Sequence, residues 1–577
     1  MQAFYTVTRL VLLSFCLVTP VSLAQQSEDA RLKALTETIW EYESKLDETV
    51  PADISPDALA SQHKQFSDYL AQLEKINKDT LSEASRITLL MQQYRLNNQV
   101  DQYKFGAYKV PITSEYGFHN ALAALPGQMN FQNVEDYQAY LKQLKGIQAY
   151  VDQQIAYMQQ GLEENYTQPR AVLEGYEKSI QPLIVDTPEQ SSFYAPFKAM
   201  SRFVSPQRQQ SLQAQAQNII ENQVTPAFQR FYTFMTDTYI PGARQDIAAK
   251  SWPNGEAYYQ NRIEHYTTTQ MTAQEIHQLG ISEVKRIRKQ MKAIVEEVEF
   301  DGDVDAFIHF LRTDEQFYAD SAEALLKEAA FIAKKADAQL PRFFEKIPRK
   351  PYGVAPVPED IAPKYTTGRY IHASGDTQAA YYWVNTYALD KRPLYALPAL
   401  TLHEAVPGHH LQISLAGEMT DLPPVRQKTY ISAFGEGWGL YSEFLGIDMG
   451  IYETPYDHFG RLSYEMWRAC RLVVDTGMHM FGWSRQKAIN YMMKNTALSE
   501  HNIKTEVDRY ISWPAQALSY KIGEIKIKAL REKAENALGE DFNIRQFHSA
   551  VLEHGSVPLF ILEQNIERFI QEQQAGK

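Results

Sequence analysis

The chain has 577 residues, of which 44% are hydrophobic and 12% aromatic, so it can bury a large core. Its formal net charge is −13 and it has no long basic block, which argues against nucleic acid and anionic membranes as partners. No Gly/Ser-rich or Pro-rich linker divides the chain. We therefore predict one large, mainly helical body with two lobes.

Residues 1–24 have the pattern of a secretory signal peptide. One arginine precedes an apolar run at 10–18, and Ser22-Leu23-Ala24 places small residues at the two positions that a signal peptidase recognises. The run is too short to span a bilayer, and no later segment is apolar enough, so we do not expect an integral membrane protein. With Cys16 and Cys470 as its two cysteines, the mature chain cannot form an internal disulfide. We predict a periplasmic protein, with secretion or lipid anchoring as the alternatives.

Residues 25–348 are predicted to form an N-terminal helical region. Apolar residues recur at spacings of three and four from Val134 to Leu162, which predicts one core-facing helix of about eight turns. Ser55-Pro56 is a helix-start signal. Thr272 and Glu275 have the spacing of a capping box that opens another helix.

The predicted C-terminal region, 349–577, begins with a change of pattern. Four prolines between 351 and 363 disfavour helix, and two short aromatic and β-branched runs, at 370–372 and 381–385, predict strands. An edge strand directly before the next helix would let an extended peptide pair along it by main-chain hydrogen bonds. Tyr381 and Tyr382 are therefore candidates for substrate contact.

Four residues with metal-site chemistry fall within eight positions: His403, Glu404, His409 and His410. In a regular helix, a residue four positions after His403 could share an ion with it, but that position is a proline. This proline and the glycine after it predict a kink or bulge that returns a later histidine to His403. We prefer His409 because the kink then has to accommodate fewer residues beyond the regular spacing of four. His410 is the alternative.

Three carboxylates complete the predicted site. Glu404 points to a different side of the helix from His403, so it is free to act as the general base for a water on the metal. Glu436 lies between two glycines, which would let a second helix approach closely, and is the predicted third ligand. Glu443 follows it on the same helical face and could orient a ligand histidine. Two imidazoles and a carboxylate ligand predict one Zn²⁺ per chain.

The chain resembles the bacterial DUF885 family in three stretches. His403 to Gln412 is similar to the family signature His-Glu-x-x-Pro-Gly-His-His-x-Gln, and 436–438 and 514–523 are similar to two later motifs. The family is usually grouped with gluzincin-like metallopeptidases, whose larger helical relatives enclose a deep channel between two helical halves. The resemblance implies a peptidase-like zinc hydrolase with a small β-sheet beside the metal-binding helix, and it names no substrate.

Polar residues after the metal motif are candidates for contacts with a substrate. Helical zinc peptidases that the chain resembles place a tyrosine or histidine donor about a hundred residues after the metal motif, which implies Tyr520, or Tyr510 as second choice, as the oxyanion donor. Arg509 could bind a substrate carboxylate through two hydrogen bonds. His479 shares a polar helical face with three other charged residues, and we favour the interpretation that this face lines a wet cavity.

These features predict a zinc-dependent hydrolase that cleaves peptide bonds in short peptides. One alternative is the same chemistry on a non-peptide amide or an ester, because metal, water and base do not select the acyl group. The other is a periplasmic helical binding protein without catalysis, in which an extra carboxylate such as Glu404 would be unnecessary. The sequence predicts no oligomeric state.

Overall fold

The computed structural model describes residues 20–47, 51–359, 361–373 and 378–576. These ranges are mainly helical and contain one three-stranded sheet, which confirms the predicted fold class. Most of the predicted signal peptide, 1–19, lies outside the described residues, so that assignment stays a prediction. No helix in the described ranges is long and apolar enough to cross a membrane.

The region before the sheet is built from helices of very different length. Both predicted helix starts are confirmed: the Ser55 side chain accepts a hydrogen bond from the Ala58 backbone N–H, and Thr272 and Glu275 form the capping box. The helices are Pro20–Asp47 (α1), Pro56–Glu74 (α2), Glu83–Lys104 (α3), Phe118–Ala123 (α4), Leu125–Gln128 (α5), Val134–Glu163 (α6), Ala195–Lys198 (α7), Pro206–Ile219 (α8), Thr225–Phe234 (α9), Ile240–Gly242 (α10), Gly255–Thr267 (α11), Ala273–Glu297 (α12), Val304–Thr313 (α13) and Ala322–Phe343 (α14).

The sheet has the strand order β1-β3-β2, with β1 at Tyr352–Pro356, β2 at Gly368–Ile371 and β3 at Ala380–Val384. Strand β3 pairs in parallel with β1 and antiparallel with β2. The two predicted strands are present, but the prediction that the strand just before the next helix is an edge strand is wrong. That strand, β3, is central because the proline-flanked segment at 352–356, which we did not predict as a strand, covers its other side.

The chain returns to helix after the sheet, and two of these helices pack with almost no space between their backbones. An added Cβ on Gly523 in α22 would lie 1.9 Å from the Ala433 carbonyl oxygen in α18. The helices are Leu397–Glu404 (α15), His409–Gly417 (α16), Pro424–Lys428 (α17), Ser432–Leu445 (α18), Pro455–Met480 (α19), Arg485–Asn495 (α20), Glu500–Ser512 (α21), Ser519–Leu538 (α22), Ile544–Leu552 (α23) and Leu559–Ala575 (α24).

Helix α19 runs through the centre of the protein, and every residue from Phe459 to His479 is buried. Helix α12 packs closely against it, since a Cβ on Gly280 would lie 2.7 Å from the Leu472 side chain. One large apolar core contains residues from before and after the sheet in the sequence. A smaller apolar cluster joins α1, α2 and α3. The division of the chain near residue 348 stays a prediction.

Candidate metal centre

The helix that carries His403 breaks where the sequence predicts it. Helix α15 ends at Glu404 and α16 begins at His409. Gly408 is required in the connection, because a Cβ there would lie 2.0 Å from the His403 carbonyl oxygen. The break brings the His403 and His409 rings together, with centroids 4.7 Å apart and planes at 89°.

Helix α18 adds a carboxylate to this histidine pair. Glu436 Oε2 lies 3.6 Å from His403 Nε2 and 3.5 Å from His409 Nε2. The three ligand atoms all lie within 4.8 Å of one another. A tetrahedral zinc with ligand bonds of about 2.1 Å separates its ligand atoms by about 3.4 Å, so this donor set fits a zinc ion.

The charge of the cluster also fits a cation. Burial disfavours the charged form of His403, but hydrogen bonds to Glu436 and Glu443 outweigh it and raise its pKa to about 9. Burial opposes ionisation of Glu436 too, yet the two histidines hold its pKa well below the ordinary value. A positive charge is therefore stabilised between these side chains.

Glu443 lies beside His403, as the sequence predicts. Its Oε1 is 2.8 Å from His403 Nδ1, and Arg468 Nη2 lies 3.4 Å from the same oxygen. This contact orients the imidazole so that Nε2 faces Glu436 and His409. The equivalent nitrogen of His409, Nδ1, is buried and has no hydrogen-bond partner among the described residues.

Glu404 is the last residue of α15 and lies beside the edge strand β2. Its Oε2 accepts a hydrogen bond of 2.8 Å from the Tyr370 backbone N–H. This bond fixes the direction of the carboxylate next to His403. The position is compatible with the predicted general base.

His410, the alternative ligand, lies outside the cluster. Its Nδ1 is 3.3 Å from both the Tyr370 hydroxyl and the Ser414 hydroxyl, and burial lowers its pKa to about 4. The geometry thus favours our choice of His409 over His410.

Two tyrosines border the cluster, and the sequence pointed to one of them. Burial and the negative charge of Glu436 raise the pKa of Tyr520, so its hydroxyl keeps the proton that an oxyanion donor needs. The sequence did not point to Tyr430, whose pKa is raised well above its ordinary value by burial and then by Glu436. Tyr430 is 46% exposed as a whole residue, but the hydroxyl end of its ring is buried against Gly435. It lies between α17 and α18, outside any periodic pattern that could have identified it.

Arg509 is engaged with other protein groups. It lies 3.3 Å from Glu506 and donates a hydrogen bond of 2.6 Å to the Gln516 side chain. Arg471, which is buried, shares Glu506 and stacks on the Tyr520 ring at 4.3 Å. Arg509 therefore positions this side of the site through Glu506, and a substrate carboxylate would compete with that glutamate.

The other residues predicted to act on the substrate differ in solvent exposure. Tyr381 is 41% exposed on the outer face of β3, so it is accessible. Tyr382, Tyr510 and His479 are completely buried. His479 Nδ1 accepts from the Ala249 N–H and its Nε2 lies 2.9 Å from the Tyr510 carbonyl. None of the three has exposed surface in this structure, so substrate contact by Tyr382 and His479 and the oxyanion role of Tyr510 stay predictions.

Two solved structures are similar to the chain over nearly its whole length. A candidate lipoprotein from Colwellia psychrerythraea has 26% identity and a TM-score of 0.83, with 96% of this chain and 98% of that chain covered. A candidate lipoprotein of unknown function from Shewanella oneidensis has 17% identity and a TM-score of 0.73, with 95% and 99% covered. The second likeness shows the fold alone.

No curated protein sequence is significantly similar to the chain. The family model described as bacterial protein of unknown function, DUF885, matches residues 39–566. That match includes His403, His409 and Glu436 and most of the helices on both sides of the sheet. The chain therefore belongs to the DUF885 family of bacterial proteins.

Proposed function

We propose that the chain is a zinc-dependent hydrolase that cleaves peptide bonds in short peptides. The observation that carries the proposal is the convergence of His403, His409 and Glu436 beside Glu404. A bound zinc would polarise a substrate carbonyl and lower the pKa of a water molecule. A site that held zinc for structure alone would have four protein ligands and no need of an adjacent free carboxylate.

The protein groups around the cluster have separate tasks in this proposal. Glu404 accepts a proton from the attacking water and later delivers it to the leaving amine. Tyr520 and Tyr430 are the candidate donors to the oxygen on which negative charge develops, a contribution on the order of 3 kcal/mol each. Glu443 keeps the His403 ring in place.

The sheet supports a peptide as substrate. Strand β2 is one of the two edge strands of the sheet, and the Tyr370 N–H points away from β3 to reach Glu404. An extended peptide that pairs along this edge would lie next to the general base. His403 and His409 are 3% and 9% exposed, so the enclosed cluster favours short or unfolded peptides over folded proteins.

The proposal includes export from the cytoplasm. The two similar structures are of candidate lipoproteins, and residues 1–24 have a signal-peptide pattern. Periplasmic location is our first choice. A lipid anchor at Cys16 or secretion is the alternative.

The first experiment measures zinc content by elemental analysis after the purified protein has been offered zinc. We expect about one zinc per wild-type chain, and loss of zinc in the His403→Ala, His409→Ala and Glu436→Ala variants. His410→Ala is the matched control, because it removes a neighbouring imidazole that lies outside the cluster. Absence of zinc from the wild type would refute the proposal.

The second experiment separates catalysis from binding. Glu404→Gln keeps the size of the side chain but cannot accept a proton, so we expect zinc to be retained and hydrolysis to fall by about 10²- to 10⁴-fold. The readout is cleavage of a mixture of short fluorescence-quenched peptides. Equal cleavage by Glu404→Gln and wild type would remove Glu404 from the mechanism. Zinc without any cleavage of peptides would support the amide, ester or binding alternatives.

A further inference from the structure

A cavity of about 300 Å³ lies at the start of α15, one helical turn before His403. Leu397 and Leu400 of that helix form part of its wall, and Val384 at the end of β3 forms another part. A helical turn spans about 5 Å, so the cavity is close to the metal cluster. None of the cluster residues lines it, and it is therefore a separate site.

Two arginines from different parts of the chain border this cavity. Arg312 belongs to the last turn of α13, and Arg392 lies between β3 and α15. The Nε atom of each is buried and has no hydrogen-bond partner among the described residues. Arg312 also donates through Nη2 to the Thr496 carbonyl oxygen at 2.5 Å. Neither guanidinium forms an ion pair with a described carboxylate.

The acidic residues of the cavity are paired with other cations. Asp390 lies 2.6 Å from Lys391 Nζ, and Glu500 lies 2.7 Å from Lys504 Nζ. Asp390 is near enough to Arg392 to favour its charged form, but neither arginine has a carboxylate within 4.0 Å among the described residues. Burial lowers the pKa of Arg312 and of Arg392. A partly buried cation without a directly bonded carboxylate is unfavourable, and a bound anion would relieve that cost.

The rest of the wall is largely apolar, with leucine, valine, alanine and tyrosine side chains. Pockets with apolar walls and a few convergent polar groups are typical of small-molecule sites. A guanidinium presents a planar fork of donors that matches a carboxylate or a phosphate. We propose that the cavity binds a small organic anion, a carboxylate or phosphate on an apolar body, through Arg312 and Arg392.

The test titrates three probes of similar size into the purified protein by calorimetry: 3-phenylpropionate, phenyl phosphate and the neutral 3-phenylpropanamide. We expect at least one of the two anions to bind and the amide not to bind. Arg312→Met and Arg392→Met keep the apolar stem and remove the fork. Each should weaken anion binding by about 10- to 100-fold, the loss expected for hydrogen bonds to a charged group.

Two further variants are controls, one for the loss of an arginine outside the cavity and one for the metal cluster. Arg208→Met removes an exposed arginine of α8 and should bind the anion like wild type. His409→Ala should also bind it like wild type, because the site does not depend on a metal. Failure of both anions to bind the wild type would overturn the inference. So would equal binding by both cavity variants, or loss of binding in His409→Ala.

Discussion

His403 contacts a carboxylate at each of its ring nitrogens. Nε2 lies 3.6 Å from Glu436 and Nδ1 lies 2.8 Å from Glu443. One carboxylate belongs to the proposed ligand set, and the other fixes the ring. Both come from α18, seven residues apart, so a single helix sets the direction of the imidazole.

Removing the contact at Nδ1 should weaken metal binding without removing a ligand. Glu443→Ala is expected to lower zinc affinity by about 10- to 100-fold, because the imidazole loses the group that orients it. Glu443→Gln keeps an acceptor oxygen, so its zinc affinity should fall less than that of Glu443→Ala. Competition with a fluorescent chelator measures both affinities. Equal affinity in all three proteins would mean that the contact does not position His403.

Asp475 in α19 predicts an unusual dependence of stability on pH. Burial raises its pKa from 3.8 to about 7, despite hydrogen bonds from Tyr259 and the Ala515 N–H that favour the charged form. Because the pKa in the folded protein is higher than in the unfolded chain, this group stabilises the fold at low pH. That contribution is lost as the pH rises through about 7.

Between about pH 5 and about pH 8, Asp475 should therefore reduce the free energy of unfolding by about 3 kcal/mol. Asp475→Asn keeps the acceptor oxygen for Tyr259 and removes the titration. We expect the variant to be more stable than wild type at the higher pH, measured by urea unfolding at both values. An identical pH dependence in the two proteins would contradict this assignment.

At the residue scale, the sequence predicted His403, Glu404 and Glu443 from residue type and helical spacing, and Glu436 from the two glycines beside it. It could not identify Tyr430, because that residue comes near Glu436 through the path of a loop. It also assigned substrate contact to buried residues such as Tyr382. Alternation along a strand separates two faces, but it does not say which face is packed.

At the scale of elements, the distance between α15 and α18 depends on a small residue. A Cβ on Gly439 would lie 2.5 Å from His403 Cε1 and 2.8 Å from both ring nitrogens. Contacts this short do not occur in folded proteins, so His403 would have to move. Its buried position and its contact with Glu443 leave little freedom for that movement.

Gly439→Ala is therefore expected to lower zinc content strongly. Alanine favours helix over glycine by about 1 kcal/mol, but overpacking costs about 1–3 kcal/mol, so we also expect a small loss of stability. Gly417→Ala is the matched control, since no atom lies within 4 Å of a Cβ there. Elemental analysis and thermal unfolding of both variants provide the readout. Full zinc content in Gly439→Ala would contradict the packing argument.

Long and periodic elements were predictable, whereas the order of strands was not. Helix α6 follows from an apolar stripe, and α12 from its capping box. Strand β1 was missed because prolines surround it, and proline is tolerated at the end of an edge strand. Without β1, the sequence offered no reason to place β3 at the centre of the sheet.

At the scale of the whole molecule, one buried lysine joins three helices across the sequence. Lys521 Nζ in α22 contacts Glu283 of α12, Glu465 of α19 and Glu524 of its own helix, the first two at 3.1 Å and 2.8 Å. Its side chain is completely buried. The sequence predicted a mainly helical body, but pairing between residues more than two hundred positions apart leaves no local pattern.

Removing this lysine tests how strongly the helices before and after the sheet are coupled. Lys521→Met preserves volume but removes the cation that the three carboxylates share. Each keeps a second cation (Arg286, Arg461 or Lys528), so we expect a destabilisation of about 1.5–3 kcal/mol, the contribution of hydrogen bonds to a charged group. Urea unfolding measures the change, and we expect one transition at a lower midpoint. Lys64→Met is the matched control, because Lys64 pairs with Asp68 on the exposed surface of α2 and should leave the midpoint unchanged. A midpoint in Lys521→Met equal to that of the control would mean that packing alone holds α12 against α19 and α22.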